Sequence, residues 1–268
     1  MSDELEKDEA LCKLKHFLKQ KGRAAVAFSG GTDSALLLKI AHNVLGEKCV
    51  AVTVTSDFMA ESEAAAAKDF CKAEGISHFM LKVDVLGDEC IAENSRNRCY
   101  FCKRKIFSAI KEFALKKEIF FVADGSNKDD AKDFRPGLKA LSELGISSPL
   151  MEFGFTKEKI RRVAEKLNVS LWNKNSSACL ASRFPYGQHL SRENLLKVEK
   201  AENFLHENGL SQLRVRSHGN IARIEVMPYE MEKIMFLRKK VCTEFKKIGY
   251  NYVTLDMEGF RSGSMNDV

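Results

Sequence analysis

The chain has 268 residues, 44% of them hydrophobic, which suits one large domain or two small ones with a real core. The 43 basic and 37 acidic residues give a net charge of +6, and the excess is dispersed rather than gathered into the clustered basic surface that nucleic acid requires. No apolar run approaches the ~18 residues of a membrane span, and the acidic start from Met1 to Glu9 lacks a signal-peptide core, so a soluble cytoplasmic protein is expected.

Residues 4–21 read as a helix, with Leu5, Leu11, Leu14, Phe17 and Leu18 near one face. A strand is expected at 23–28. It runs into Ser29-Gly30-Gly31-Thr32-Asp33-Ser34 and then a helix to about Leu45, where Leu36, Leu37, Ile40, Ala41 and Val44 recur at helical spacing. Residues 50–55 form a β-branched strand ending in Ser56-Asp57-Phe58, and the Ala-rich stretch 60–75 is a helix stopped by its glycine. A third strand at 78–83, a helix at 102–117 and a fourth strand at 119–123 complete the pattern. The alternation implies an α/β fold with a doubly wound parallel sheet. Ligands of such sheets bind at the carboxyl ends of the strands. The glycine loop, Ser56-Asp57 and Asp124-Gly125-Ser126 all follow strands and should share one crevice.

Thr156 is a candidate N-cap for a helix with Ile160, Val163, Ala164 and Leu167 inward. The stretch 170–190 is polar and irregular. Beyond it, a helix at 191–208, strands at 212–217 and 221–227, another helix and a strand at 250–255 make a smaller α+β domain. The expected domains are 1–175 and 176–268.

Strand, glycine turn and helix together make a phosphate site, because glycines let the backbone approach closely and the helix N-terminus offers N–H groups and a positive dipole end. Ser29, Thr32 and Ser34 add hydroxyls. No Lys-Ser or Lys-Thr pair follows the glycines, so the loop is not of the Walker type, and Gly-x-Gly-x-x-Gly is absent. Ser-Gly-Gly-x-Asp-Ser resembles instead the pyrophosphate loop of ATP pyrophosphatases, which cleave ATP between its α- and β-phosphates.

Eight cysteines in a cytoplasmic chain read as thiols or metal ligands rather than disulfides. Cys12, Cys49, Cys71, Cys90 and Cys242 stand singly and are expected to be small buried hydrophobes. Cys99 and Cys102 form a Cys-x-x-Cys pair opening a helix, where thiolate is favoured. A redox pair, a zinc site completed with His189, and an iron–sulfur cluster all use that spacing. Cys179 is the natural third thiolate of a cluster, with Arg183 beside it to hold an anionic substrate or favour the thiolate.

Several blocks point to one family: Ser29 to Ser34, Asn97 to Lys103, Asp124 to Asn127, Asp133 to Gly137, Ala178 to Gly187, Leu213 to His218 and Gly259 to Ser264. Over nearly its whole length the chain resembles the LarE family, ATP-dependent sulfur transferases that build the nickel-pincer nucleotide cofactor of lactate racemase. The resemblance implies adenylation of a carboxylate of a pyridinium dicarboxylate mononucleotide, with Mg²⁺ on the phosphates, and sulfur displacing AMP to give a thiocarboxylate. It also implies a trimer-based homo-oligomer, a trimer or hexamer. Some members sacrifice a cysteine at the position of Cys179. Others hold a [4Fe–4S] cluster on three cysteines and take sulfide from an external donor, and with Cys99, Cys102 and Cys179 this chain resembles the second kind.

Asp33 is expected to help bind Mg²⁺-pyrophosphate, Ser56 to contact the nucleoside, and Asp124, Gly125 and Arg135 to line the ATP site. The acidic group Asp124, Asp129, Asp130 and Asp133 is a further Mg²⁺ candidate. Arg214 and Arg216 are two apart on a strand and so share a face suited to a phosphate. The family uses such a pair for the substrate phosphate, and Glu202 and Arg261 match further family positions. The competing readings are a tRNA-thiolating enzyme, an amidating ligase and a non-catalytic ATP and iron–sulfur sensor. The first lacks a basic surface and the second gives the three cysteines no role.

Overall fold

The computed structural model describes Leu5 and residues 7–132, 136–174 and 178–261. Asp133, Arg135 and Ser262 to Ser264, singled out above, lie outside the described residues. The chain forms two compact units. One is Met1–Val85 with Asn97–Ser177, the other Leu86–Arg96 with Ala178–Val268.

In the first unit the elements are α1 (Glu9–Lys21), β1 (Ala24–Ala27), α2 (Thr32–Leu45), β2 (Cys49–Thr55), α3 (Glu61–Ala73), β3 (Ser77–Lys82), α4 (Arg98–Lys116), β4 (Val122–Ala123), α5 (Pro136–Glu143) and α6 (Lys157–Lys166). The sheet order is β3-β2-β1-β4 and every pairing is parallel. Val26 of β1 packs into a core with Leu14 of α1, Leu37 of α2, Phe70 of α3 and Ile160 of α6. Its neighbour Ala25 points the other way, joining Val52 and Val122 against Phe107 and Ile110 of α4 and Leu141 of α5. Helices therefore cover both faces, which is why the central strands are continuous apolar runs. The helix starts follow their caps: Asp8 accepts from Leu11 N at 3.0 Å, and Thr156 accepts from Lys159 N at 3.2 Å as its sequence position predicts.

Three expectations need correction. The fourth strand is two residues long, not five, because α4 is still closing: Glu118 adopts φ +57° and Ile119 N donates to Ala114 O at 2.9 Å, a Schellman-type stop. That helix also begins at Arg98 rather than Cys102, and the Cys-x-x-Cys pair opens it as expected, within its first turn and a half. Of the five solitary cysteines only Cys49 and Cys71 are buried. Cys12, Cys90 and Cys242 are exposed, and Cys12 and Cys242 lie on the polar faces of amphipathic helices.

In the second unit, α7 (Arg192–Glu207) and α8 (Met231–Ile248) cover a sheet of order β5 (Leu213–His218), β6 (Ile221–Val226), β7 (Tyr252–Leu255). The first pair is antiparallel and the second parallel. Leu205, Val215, Ile224, Ile234 and Phe245 form its core. Leu86–Arg96 is built into this unit: Asn94 is fully buried, its side-chain amide donates to Pro185 O at 2.8 Å, and its carbonyl accepts from Gly187 N at 3.0 Å.

Candidate functional site

In the first unit the strand order reverses at β1, which has β2 on one side and β4 on the other. The crevice outside the carboxyl ends of β1 and β4 is therefore the expected ligand position. Ser29 to Ser34 supplies one wall. Gly30 takes φ +75°, and a Cβ there would lie 3.5 Å from Glu63 O and 3.6 Å from Ala67 Cβ. Gly31 is the N-cap of α2 and has no side chain to cap the helix, so first-turn N–H groups remain for an anion.

The loop after β4 supplies the other wall. A Cβ on Gly125 would stand 2.8 Å from both N and Cα of Ser34, so only glycine lets the two loops meet. Asn127, fully buried, donates from Nδ2 to Asp33 Oδ2 at 2.7 Å. Its backbone N donates to Asp130 Oδ2 at 3.1 Å. Burial raises the Asp33 carboxyl above its usual range, and the charge of Asp130 adds to this against the Asn127 hydrogen bond. A cation arriving at Asp33 would relieve that strain, which fits the carboxylate chemistry of a Mg²⁺-phosphate site.

Two of the loop hydroxyls already donate to backbone carbonyls, one inside the loop and one far along the chain. Ser34 Oγ donates to Gly31 O at 3.1 Å, and Thr32 Oγ1 donates to Leu171 O at 2.7 Å. Ser29, exposed, stands 3.1 Å from Ser34 Oγ. Asp124 is buried and accepts from Ser126 Oγ at 2.5 Å and Ser148 Oγ at 2.6 Å. It fixes the β4 loop. Ser56 closes the turn after β2, accepting from Phe58 N at its Oγ (3.3 Å) and from Met59 N at its carbonyl (3.0 Å). Sequence reasoning overlooked Lys174, whose ammonium donates to Gly30 O at 2.9 Å. Nothing in its local sequence marks it, because the contact spans 144 positions.

Cys99 and Cys102, both half-buried, are three residues apart on α4 and so neighbours on one helix face. Arg98 Nη2 lies 3.7 Å from Cys99 Sγ. Cys179 belongs to the second unit and is exposed. Soft thiols at a helix N-terminus suit iron–sulfur ligation, so the donor chemistry fits. Among the described residues, no three His, Cys, Asp or Glu side chains are gathered to hold a metal ion. The thiols of Cys49 and Cys71 are pushed up to about 12 by burial.

In the second unit, the backbone around Cys179 is tied down by Arg183. This buried guanidinium donates to Ala178 O (2.5 Å), Cys179 O (3.1 Å) and, as a fork, to Glu202 Oε1 and Oε2 (3.0 and 2.9 Å). Glu202 Oε1 also accepts from Val215 N at 2.9 Å, which joins the loop to β5. Arg216 is buried against Glu225 (Nε to Oε2, 3.0 Å) and donates to Ser182 O at 3.0 Å. Arg214, two residues away, is half-buried with its guanidinium 5.2 Å from the centre of the Phe260 ring. The two arginines share a strand face as expected, but their surroundings differ. Arg261 is exposed and pairs with Glu258.

Among the described residues, no helix is long and apolar enough to cross a membrane. A PP-loop domain model matches residues 6–109. Pyridinium-3,5-bisthiocarboxylic acid mononucleotide synthase of Lactiplantibacillus plantarum is 39% identical over 251 residues, covering 93% of this chain and 91% of that protein. An uncharacterized protein of Synechocystis sp. is 38% identical over 258 residues (95% and 96%), and one of Methanocaldococcus jannaschii is 31% identical over 255 (94% and 97%). With its parallel sheet, its pyrophosphate-type loop and this end-to-end similarity, the chain belongs to the LarE family of PP-loop enzymes.

Proposed function

We propose that this chain is an ATP-dependent sulfur transferase that adenylates a carboxylate of pyridinium-3,5-biscarboxylic acid mononucleotide and converts it to a thiocarboxylate. The observation that carries the reading is 39% identity over 93% of the chain to a synthase of the corresponding bisthiocarboxylate, joined to a phosphate loop built without a Walker lysine.

A carboxylate is a poor electrophile. Its oxygen attacks the α-phosphorus of ATP, the bond to the β-phosphate bridge breaks, and pyrophosphate leaves with the electron pair. The N–H groups at the start of α2 and the Ser29 hydroxyl receive that charge. Asp33 and Asp130 offer carboxylate oxygens to the Mg²⁺ that accompanies ATP and offsets its phosphate charge. A sulfur nucleophile then attacks the acyl carbon and AMP departs. Arg214 and Arg261 are the substrate-phosphate candidates, with Arg216 holding the strand between Arg214 and the loop. Arg183 and Glu202 contribute by fixing the backbone that bears Cys179.

Cys99, Cys102 and Cys179 would hold a [4Fe–4S] cluster, which supplies an iron able to carry a sulfide from an external donor. The family resemblance also supports a cytoplasmic homo-oligomer, a trimer or hexamer, with the second unit binding substrate. The exposure of Cys179 supports a second reading, in which its own sulfur is spent once per chain.

The test is incubation with ATP, Mg²⁺, sulfide and the pyridinium dicarboxylate mononucleotide. AMP, pyrophosphate and a product carrying sulfur in place of oxygen are expected, and no pyrophosphate release would overturn the reading. Iron and labile sulfide in wild type and Cys99→Ala separate the two sulfur sources: about four irons per chain, lost in the variant, select the cluster.

A further inference from the structure

The phosphate loop has no lysine of its own, yet an ammonium is delivered to it from far along the chain. Lys174 follows the turn at 170–173, which is fixed to the first unit by fully buried Val169 and by Leu171 and Trp172, both packed on the core. That turn grips the loop twice. Leu171 O accepts from Thr32 Oγ1 at 2.7 Å, and Lys174 Nζ donates to Gly30 O at 2.9 Å. The same ammonium stands 3.8 Å from where a Gly30 Cβ would be, an ordinary van der Waals distance that sets it beside the first glycine of the loop.

We propose that Lys174 is a catalytic residue for the adenylation half-reaction, an ammonium that contacts the β- and γ-phosphates of bound ATP and takes up the charge that develops on the departing pyrophosphate. An ammonium carries three N–H donors and Gly30 O takes one of them. Its four-carbon stem is flexible, so the head can turn from the carbonyl to a phosphate oxygen without moving the backbone. The step needs no proton transfer: the carboxylate oxygen bonds to the α-phosphorus, the α–β phosphoanhydride bond breaks, and pyrophosphate keeps the electron pair. The site is complementary to pyrophosphate rather than to AMP, which is the preference a pyrophosphate-releasing enzyme needs.

The inference rests on the ATP half of the proposed function and not on the sulfur chemistry, so its test uses binding. Titration calorimetry of Mg²⁺-pyrophosphate, Mg²⁺-ATP and AMP is carried out on wild type, Lys174→Met and Lys174→Arg. The methionine variant should bind pyrophosphate and ATP roughly 10- to 100-fold more weakly, in line with the loss of one charge-assisted hydrogen bond, and AMP within about twofold of wild type. Arginine should restore most of the loss. Equal weakening for all three ligands would mean that Lys174 only holds the loop in shape, and no weakening would mean that it does not meet the phosphates; either result overturns the proposal. Wild type that binds ATP but never releases pyrophosphate with the pyridinium substrate would sink the proposed function, whereas the Lys174 contact with the phosphates is decided by the binding series alone.

Discussion

Replacing Glu202 with alanine would strip the Arg183 guanidinium of both bonds of its carboxylate fork while leaving it buried at 3% exposure. Val215 N would lose its acceptor in the same step. Removing one partner of a buried ion pair costs about 3–5 kcal/mol, because the remaining charge stays out of water without compensation. At a urea m-value near 2 kcal/mol/M, the midpoint for the second unit should fall by roughly 1.5–2.5 M. Far-UV circular dichroism follows the transition, and hydrogen exchange at the Val215 amide should accelerate. The double variant Glu202→Ala/Arg183→Met buries no lone charge and should recover about 2 kcal/mol relative to the sum of the single changes. A single-variant cost below ~1 kcal/mol, the range of exposed pairs, would refute the reasoning, as would strict additivity.

Gly125→Ala forces a methyl onto Ser34 backbone atoms 2.8 Å away, so Mg²⁺-ATP affinity measured by calorimetry should drop at least tenfold while the second unit melts unchanged. Asp33 has a carboxyl raised by burial, so the native state holds its proton more tightly than the unfolded chain does. Its ionisation lowers stability at every pH above the raised value, and the penalty vanishes below the ordinary value of 3.8. Asp33→Asn should therefore raise the melting temperature of ligand-free protein at pH 7, show no gain near pH 3, and abolish pyrophosphate release. Thiol labelling of cluster-free protein at pH 8 should modify Cys12, Cys90, Cys179 and Cys242 quickly and leave Cys49 and Cys71 untouched, as mass mapping would show.

The phosphate loop was legible in the sequence because its signals are local: an apolar strand, two glycines and a helical repeat lie within some two dozen residues. The parallel sheet followed from alternation alone. Long-range polar pairing was not legible. Asp33 meets Asn127 across 94 positions, Arg183 meets Glu202 across 19, and Gly30 meets Lys174 across 144, with no periodicity to announce any of them. Arg214 and Arg216 show the boundary well. Strand alternation puts them on one face, yet only packing reveals that Arg216 is committed to Glu225 and Ser182. The fourth strand was overestimated because Ile119 and Phe120 look β-prone, while the closing turn of α4 claims the Ile119 amide.

The insertion of Leu86–Arg96 into the second unit sets a timetable for synthesis. This segment leaves the ribosome about 80 residues before Ala178 and the partners that follow it, an interval of roughly 4–16 s at about 5–20 residues per second. During that interval the Asn94 side-chain amide lacks the Pro185 carbonyl and the Asn94 backbone carbonyl lacks the Gly187 N–H, and Ile91, fully buried in the folded protein, is without its cover. The nascent chain must carry this segment undocked while the parallel sheet of the first unit forms, so slowing elongation between codons 97 and 178 should lengthen its exposure to chaperones and proteases.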